Sequence, residues 1–411
     1  MSRRFAWAIL ALACAVPRLV VLLHERERIV TAFTEKSWRF AQTFVASGTF
    51  GFMAHVPSAS TQPLYGFFLV PIVWIFGTGW LWVGLAQVLV AVVTAVLVYE
   101  IGRRVASPGT ALLGALIATL HPYLVWHDVH LNREILDQLL GAAMVLLALI
   151  AYERRTAAWA AALGAVSGLA ILSNTRLVLL PLVFAGFLLW AHARPVAVLA
   201  LLAATVLVLA PWVVRNRVQV GCFALTTDAK ALWKANNPKT YSILAHGGWI
   251  DDVPDPPGAP PTPNYAADYF GAHHVLLHVD ECSQMRFYEH LVREYWQHHP
   301  GGKAKLAAQA TWMLWSPAAR HDQSGSTTNG IRTVVEPLWA VPVFLLALLG
   351  LLWTQRRFRV LVLCLLAYET LAAWVFAGTT RYRAPWDFLL ALLASVALAR
   401  LWSLRPSSRS A

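Results

Sequence analysis

The 411-residue chain is poor in charge: 13% of its residues are Asp, Glu, Lys or Arg, against about a quarter in soluble domains. Acids are scarcer than bases, 21 against 33, which leaves a formal charge of +12. Four cysteines are too few for a disulfide scaffold, and Cys14 and Cys364 lie in apolar stretches. Cys222 and Cys282 share one polar segment and have the option of pairing in an oxidising compartment. No period of about 20 to 50 residues marks a solenoid. What the chain has in excess is hydrophobicity, 58% of its residues, with a mean hydropathy of +0.55. Apolar runs of about 18 to 22 residues recur, each able to cross a hydrocarbon core roughly 30 Å thick. These features exclude a water-soluble core and predict an all-α polytopic membrane protein.

The first run continues past Cys14 to Leu23, so it reads as an uncleaved span rather than a signal peptide. Spans are expected at 5–23, 80–101, 109–127, 134–152, 157–173, 177–192, 196–213, 336–353, 360–377 and 385–402. The stretch 63–76 is shorter and contains Pro71, as in an interfacial or re-entrant helix. If it does not cross and the N-terminus is cytoplasmic, Arg3, Arg4, Arg103, Arg104, Arg154, Arg155, Arg194, Arg356, Arg357, Arg359, Arg405 and Arg409 all fall inside. That agrees with the positive-inside rule, explains the basic charge without nucleic acid, and gives about ten transmembrane helices.

On this topology residues 24–79, 128–133, 174–176, 378–384 and a large segment near 214–335 lie outside. The expected organisation is a transmembrane module over 1–213 with the first outer loop at 24–79, a mixed extracytoplasmic segment at 214–335, and C-terminal spans in 336–411. The large segment holds a Pro-rich linker, then a helix with Met285, Tyr288, Leu291, Val292 and Tyr295 on one face. After it comes an amphipathic helix expected to lie on the membrane with Trp312 and Trp315 at headgroup level.

Polar groups gather at the outer ends of the spans: Glu35, "HDVHLNRE", "SNTR", "PWVVRNR" and "TTRYRAP". Arg holds phosphate through its planar fork, and a carboxylate beside it is a general base or a metal ligand. The bland readings stand beside this one. Glu35 is a solvated loop residue beside Glu25 and Glu27, Glu134 caps a helix start, and Arg215 and Arg217 are interfacial anchors. His127, Asp128 and His130 do not form a recognised zinc motif and read better as structural. No span is read as carrying an acid at its centre, which favours an enzyme over the alternative, a transporter or flippase of a lipid-linked or anionic substrate.

Five passages together resemble a known family: "EKSWRFAQTFVASGTFGF" with "TQPLYGFFLVPIVWIFG", "HPYLVWHDVHLNREIL", "GLAILSNTRLVLLP", "APWVVRNRVQVGCFALTTDAKALWKANNP" and "RYRAP". They are similar to the GT-C glycosyltransferases, in particular the bacterial family 39 branch related to protein O-mannosyltransferases and lipid A aminoarabinose transferases. The resemblance implies a GT-C fold with interfacial helices in the first outer loop. It also implies transfer of a sugar, with inversion, from a polyprenyl-phosphate donor to a hydroxyl of a glycan, lipid or protein. The implied location is a bacterial cytoplasmic (inner) membrane, with the site facing the periplasm or exterior. Glu35 matches the catalytic acid, where the family more often has Asp in an Asp-Glu pair and this chain has Thr34-Glu35. Glu134 matches the acid before the run that follows the second outer loop. Arg176, Arg381 and Arg383 are the implied phosphate holders, and Trp38 and Phe40 would lie against prenyl chain or sugar. Asp128, Arg215 and Tyr65 complete the substrate-binding set. No cofactor follows with certainty, and the carboxylates leave room for a divalent metal.

Overall fold

The computed structural model describes residues 2–31, 35–317 and 329–404, so Thr34, Arg405 and Arg409 lie outside it. Among the described residues every regular element is helical, apart from one isolated bridge between Met53 and Val56. Among the described residues seven helices are long and apolar enough to span a bilayer, beginning with Arg3–Glu25. The chain is a multi-pass all-α membrane protein.

All ten expected spans are helical, but two are clearly shorter than the sequence suggested. The run 109–127 is split into Pro108–Thr119 and Pro122–His127. Pro122 lacks the N–H a continuous helix requires, and the ring of His121 accepts from Tyr123 N to start the second piece. The span expected at 177–192 begins only at Leu180, because Asn174 first nucleates a 3-10 turn over Thr175–Leu177. The helix Ala157–Ser173 has the expected bounds. Pro63–Phe76 is a 14-residue helix, roughly 21 Å at 1.5 Å per residue, short of a crossing.

Small residues let the helices approach closely, as membrane interfaces require in place of a hydrophobic driving force. A Cβ on Gly164 would fall 2.0 Å from the Leu201 carbonyl of Pro195–Gln219, and one on Gly350 would fall 2.0 Å from that of Leu393. The C-terminal helix Asp387–Ser403 is apolar nearly all round and sits inside the bundle, as an all-apolar helix must.

The basic clusters meet at one end. Arg3 bonds Glu100, Arg104 and Arg357 both reach Glu153, and Gln355 donates to the Val105 carbonyl. At the other end the helix Pro195–Gln219 runs past residue 213 before the polar segment begins. That segment folds around Glu281–His298, which buries Tyr288, Val292 and Tyr295, with Tyr288 and Val292 against Trp233 and Val253. The next helix, Pro300–Trp315, packs on Arg356–Val375. Trp312 is exposed, but Trp315 is half-buried and donates to Thr370 rather than standing free. Cys222 and Cys282 are bonded to each other, closing a loop across 60 residues, worth ~4 kcal/mol in the chain-entropy model.

Candidate active site

Three segments remote in sequence converge on one guanidinium. Arg381 lies in the short helix Thr380–Arg383, which follows the extended Thr379. Its Nε donates to Glu134 Oε1 at 2.7 Å and its Nη2 to Glu134 Oε2 at 3.0 Å, a fork on a fork. The same Nη2 donates to Glu35 Oε1 at 2.7 Å.

Local chemistry explains why both acids are available. Glu35 stands at the N-cap position of Lys36–Ser47 with an extended backbone, yet its side chain caps no amide and turns to Arg381. Glu134 opens the helix Glu134–Arg154, but Asn132 supplies the cap by accepting from Ile135 N. The helix-cap reading of Glu134 is therefore replaced by an ion pair. The two carboxylates differ in access: the Glu35 side chain keeps 18% of its exposure, Glu134 only 2%.

Residues absent from the sequence reading frame this trio. Arg133 donates to Gln62 Oε1 at 2.5 Å, and Gln62 donates to Thr175 Oγ1 at 3.2 Å. Asp137, one turn into its helix, accepts from Ser173 and Asn174, tying "SNTR" to the helix that carries Glu134. Arg133 and Gln62 stand inside passages already singled out, but neither residue type alone signals a site. Asp137 lies on the helical face of Glu134, three residues on, which was the available signal.

Several expected contacts go elsewhere. Asp128 is fully buried, takes both Arg18 Nε and Nη2 on one oxygen at 2.9 and 2.7 Å, and accepts from Gln138 on the other. It neutralises a cation inside the first span, where an unpaired charge is costly, and is not open to substrate. Arg383 is likewise buried, paired with Asp387 at 3.1 Å and donating to the carbonyls of Leu314 and Ser316. Its fork serves tertiary structure. Arg215 spends its fork on the carbonyls of Phe50 and Ser58, holding the first outer loop. Tyr65 is buried, donates to Gln87 at 2.6 Å and accepts from Asn132 N at 3.0 Å, so it shapes the second outer loop from within.

Arg176 lies with Tyr382 stacked at 3.9 Å and one nitrogen on the Ala377 carbonyl, beside the trio but not bonded to it. Trp38 packs half-buried against the main core. Phe40 is wholly buried edge-on between Phe50 and Phe52, so it belongs to the loop's own core and not to a prenyl or sugar face. Glu25 is buried near His130 at 3.6 Å and is not a solvated loop residue; Glu27 is exposed. One acid does lie at the centre of an expected span: Glu369, buried in Arg356–Val375. Its position weakens the argument that charges sit only at span ends. Among the described residues no three His, Cys, Asp or Glu side chains converge as a metal-ligand set, and Arg381 occupies the space between the two carboxylates.

Comparison with known proteins gives a consistent fold. Residues 57–214 match the family model described as dolichyl-phosphate-mannose-protein mannosyltransferase. The structure is similar to the Archaeoglobus fulgidus oligosaccharyltransferase tethered to an acceptor peptide, with a TM-score of 0.54 at 13% identity over 98% of this chain and 50% of that one. The archaeal oligosaccharyltransferase AglB from Archaeoglobus fulgidus, in complex with an inhibitory peptide and a dolichol-phosphate, matches with a TM-score of 0.54, 13% identity, and coverage of 98% of this chain and 50% of that one. ArnT from Cupriavidus metallidurans bound to undecaprenyl phosphate aligns at 17% identity over 97% of this chain and 78% of that one, with a TM-score of 0.43. The chain spans about half the length of the archaeal chains it matches. No curated protein matches its sequence. The chain has the GT-C glycosyltransferase fold.

Proposed function

We propose that this protein transfers a sugar from a polyprenyl-phosphate donor to an acceptor hydroxyl, with inversion, at the membrane face that carries Glu35. The observation that carries the reading is the Glu35, Arg381 and Glu134 trio, assembled from three segments remote in sequence. Glu134, clamped and almost inaccessible, orients Arg381. Glu35, more exposed and held by one hydrogen bond, is the general base that takes the acceptor's proton. Arg381 then holds the departing lipid phosphate, where fixed positive charge offsets developing negative charge. A donor phosphate competing for the Arg381 guanidinium would release Glu35 from its hydrogen bond to that side chain.

The fold and the partial family match support this reading, as does the dolichol-phosphate bound by the archaeal neighbour. The disulfide supports placing this face in an oxidising compartment, the periplasm or exterior of a bacterial inner membrane. The test is reconstitution in proteoliposomes with a panel of polyprenyl-phosphate sugars. Acceptor-dependent release of polyprenyl phosphate, with the anomeric centre inverted by NMR, is the expected result. Movement of intact donor across the bilayer without its consumption would replace this reading with a transporter.

A further inference from the structure

Outside the trio, one cluster of polar contacts gathers around residues 226–228, within a passage whose role the site does not explain. Thr226 Oγ1 and Thr227 N both donate to the Ala59 carbonyl, at 3.0 and 2.9 Å. The buried carboxylate of Glu281 accepts from Ala59 N at 2.9 Å and Thr227 Oγ1 at 2.6 Å on a single oxygen. Asp228 pairs with Lys36 at 2.6 Å, the residue after Glu35. Cys282, the neighbour of Glu281, is bonded to Cys222, which anchors the start of Glu281–His298 to the end of Pro195–Gln219.

The held loop leads directly to the site. Three residues after Ala59 comes Gln62, which accepts from Arg133 and bonds Thr175. Arg133 is adjacent to Glu134 in the chain, with Nε 3.8 Å from its carboxylate. The segment 58–62 is buried through Thr61 but belongs to no helix, since the next one begins only at Pro63. Its start is held by Ser58 N on the Phe50 carbonyl and by Arg215 on the Ser58 carbonyl, and beyond that it is the contacts at Ala59 that lead toward Gln62. A buried carboxylate that satisfies both a backbone amide and a hydroxyl strengthens the hold at Ala59, because charge-assisted hydrogen bonds are about twice as strong as neutral ones.

We propose that Thr227, Glu281 and the Cys222–Cys282 disulfide form a clamp on Ala59 that positions Gln62, and through it Arg133, for phosphate binding. Glu281 and Gln62 are positioning residues, and reduction of the disulfide opens the clamp. Reduction takes two electrons and two protons from an added dithiol, which becomes the disulfide, and leaves Cys222 and Cys282 as thiols. Lys36 with Asp228 forms a second arm at the start of the helix that follows Glu35. The inference rests on the reading of the trio as a polyprenyl-phosphate site.

The test uses the purified full chain in nanodiscs, oxidised and reduced, with undecaprenyl phosphate as probe. Amide exchange is followed by mass spectrometry at 58–62 and in Glu281–His298. Reduction is expected to speed exchange at 58–62 about tenfold and to weaken undecaprenyl phosphate binding about tenfold, the size of one charge-assisted hydrogen bond. The helix Glu281–His298 should stay protected. Cys222→Ser combined with Cys282→Ser should match the reduced protein and ignore reductant. Glu281→Ala should open 58–62 with the disulfide intact, and Glu281→Gln, which keeps an acceptor oxygen, should largely restore closure and binding. Exchange and binding unchanged on reduction would overturn the clamp. Loss of protection throughout Glu281–His298 would overturn it too, because the disulfide would then be a general crosslink. Exchange that responds while undecaprenyl phosphate binds neither form would leave the mechanical clamp standing and remove the phosphate reading of the trio.

Discussion

The two ends of the helical bundle use the same chemistry, arginine against glutamate, in opposite environments. At the basic end Arg3, Arg104 and Arg357 meet Glu100 and Glu153 with side chains 16% to 55% exposed. At the other end Arg381 meets Glu35 and Glu134 with side chains 2% to 18% exposed. Water replaces a lost partner at the first end, so each pair there is worth at most about 1 kcal/mol. At the second end nothing replaces it, and removing one partner leaves a charge stranded. Arginine count alone therefore does not mark function; the same residue type forms exposed pairs at one end and a nearly buried trio at the other.

The contrast is broken most strongly at Glu35. Glu35→Gln keeps size and hydrogen bonding but removes the proton acceptor, so sugar transfer is expected to fall about 10² to 10⁴-fold while membrane expression stays as wild type. Glu35→Asp should retain part of the activity, and Glu27→Gln, on an exposed side chain, should leave it unchanged. Near-normal transfer by Glu35→Gln would remove Glu35 as base.

A smaller effect is expected from Arg381→Lys, which keeps the charge but loses the fork. Affinity for undecaprenyl phosphate should weaken about 10 to 100-fold, the size of a charged hydrogen bond at about 1.4 kcal/mol per decade. Isothermal titration in nanodiscs measures it, and unaltered affinity would move the phosphate to another cation, Arg176 or Arg133 first.

Arg383→Lys sharpens the comparison between neighbours on one short helix. Losing one of its buried bonds should lower stability by about 1 to 3 kcal/mol, seen as a lower thermal midpoint, while the folded fraction binds undecaprenyl phosphate as wild type. Weaker binding without lost stability would return Arg383 to the site.

The smallest change belongs to the basic end. Glu153→Gln should cost less than about 1 kcal/mol in the same melting assay and leave transfer intact. A loss of transfer there would mean that the two ends are coupled.

Local patterns carried much of this description. Hydropathy and length revealed a multi-pass α-helical protein, because each span must satisfy its own backbone hydrogen bonds in lipid. The scarcity of polar residues made the few at expected span ends conspicuous, while Glu35 and Glu134 were set apart from a solvated loop residue and a helix cap only by the family resemblance. Pro122 signalled a break inside an apolar run, but hydropathy averages over such a residue, and the split helix was missed.

Pairing across the chain was beyond such patterns. Arg381 and Arg383 stand two residues apart in "RYR", and only the turn of Thr380–Arg383 sends one to two acids and the other to Asp387. Asp128 and Glu134 are six residues apart in one polar loop, and only the position of Arg18, 110 residues away from Asp128, withdraws the first from the site. The sequence by itself determined which residues are too costly to leave unpaired in or beside a membrane. The tertiary structure decided which partner each found, because an ion pair depends on distances of a few ångströms between segments whose separation along the chain carries no such information.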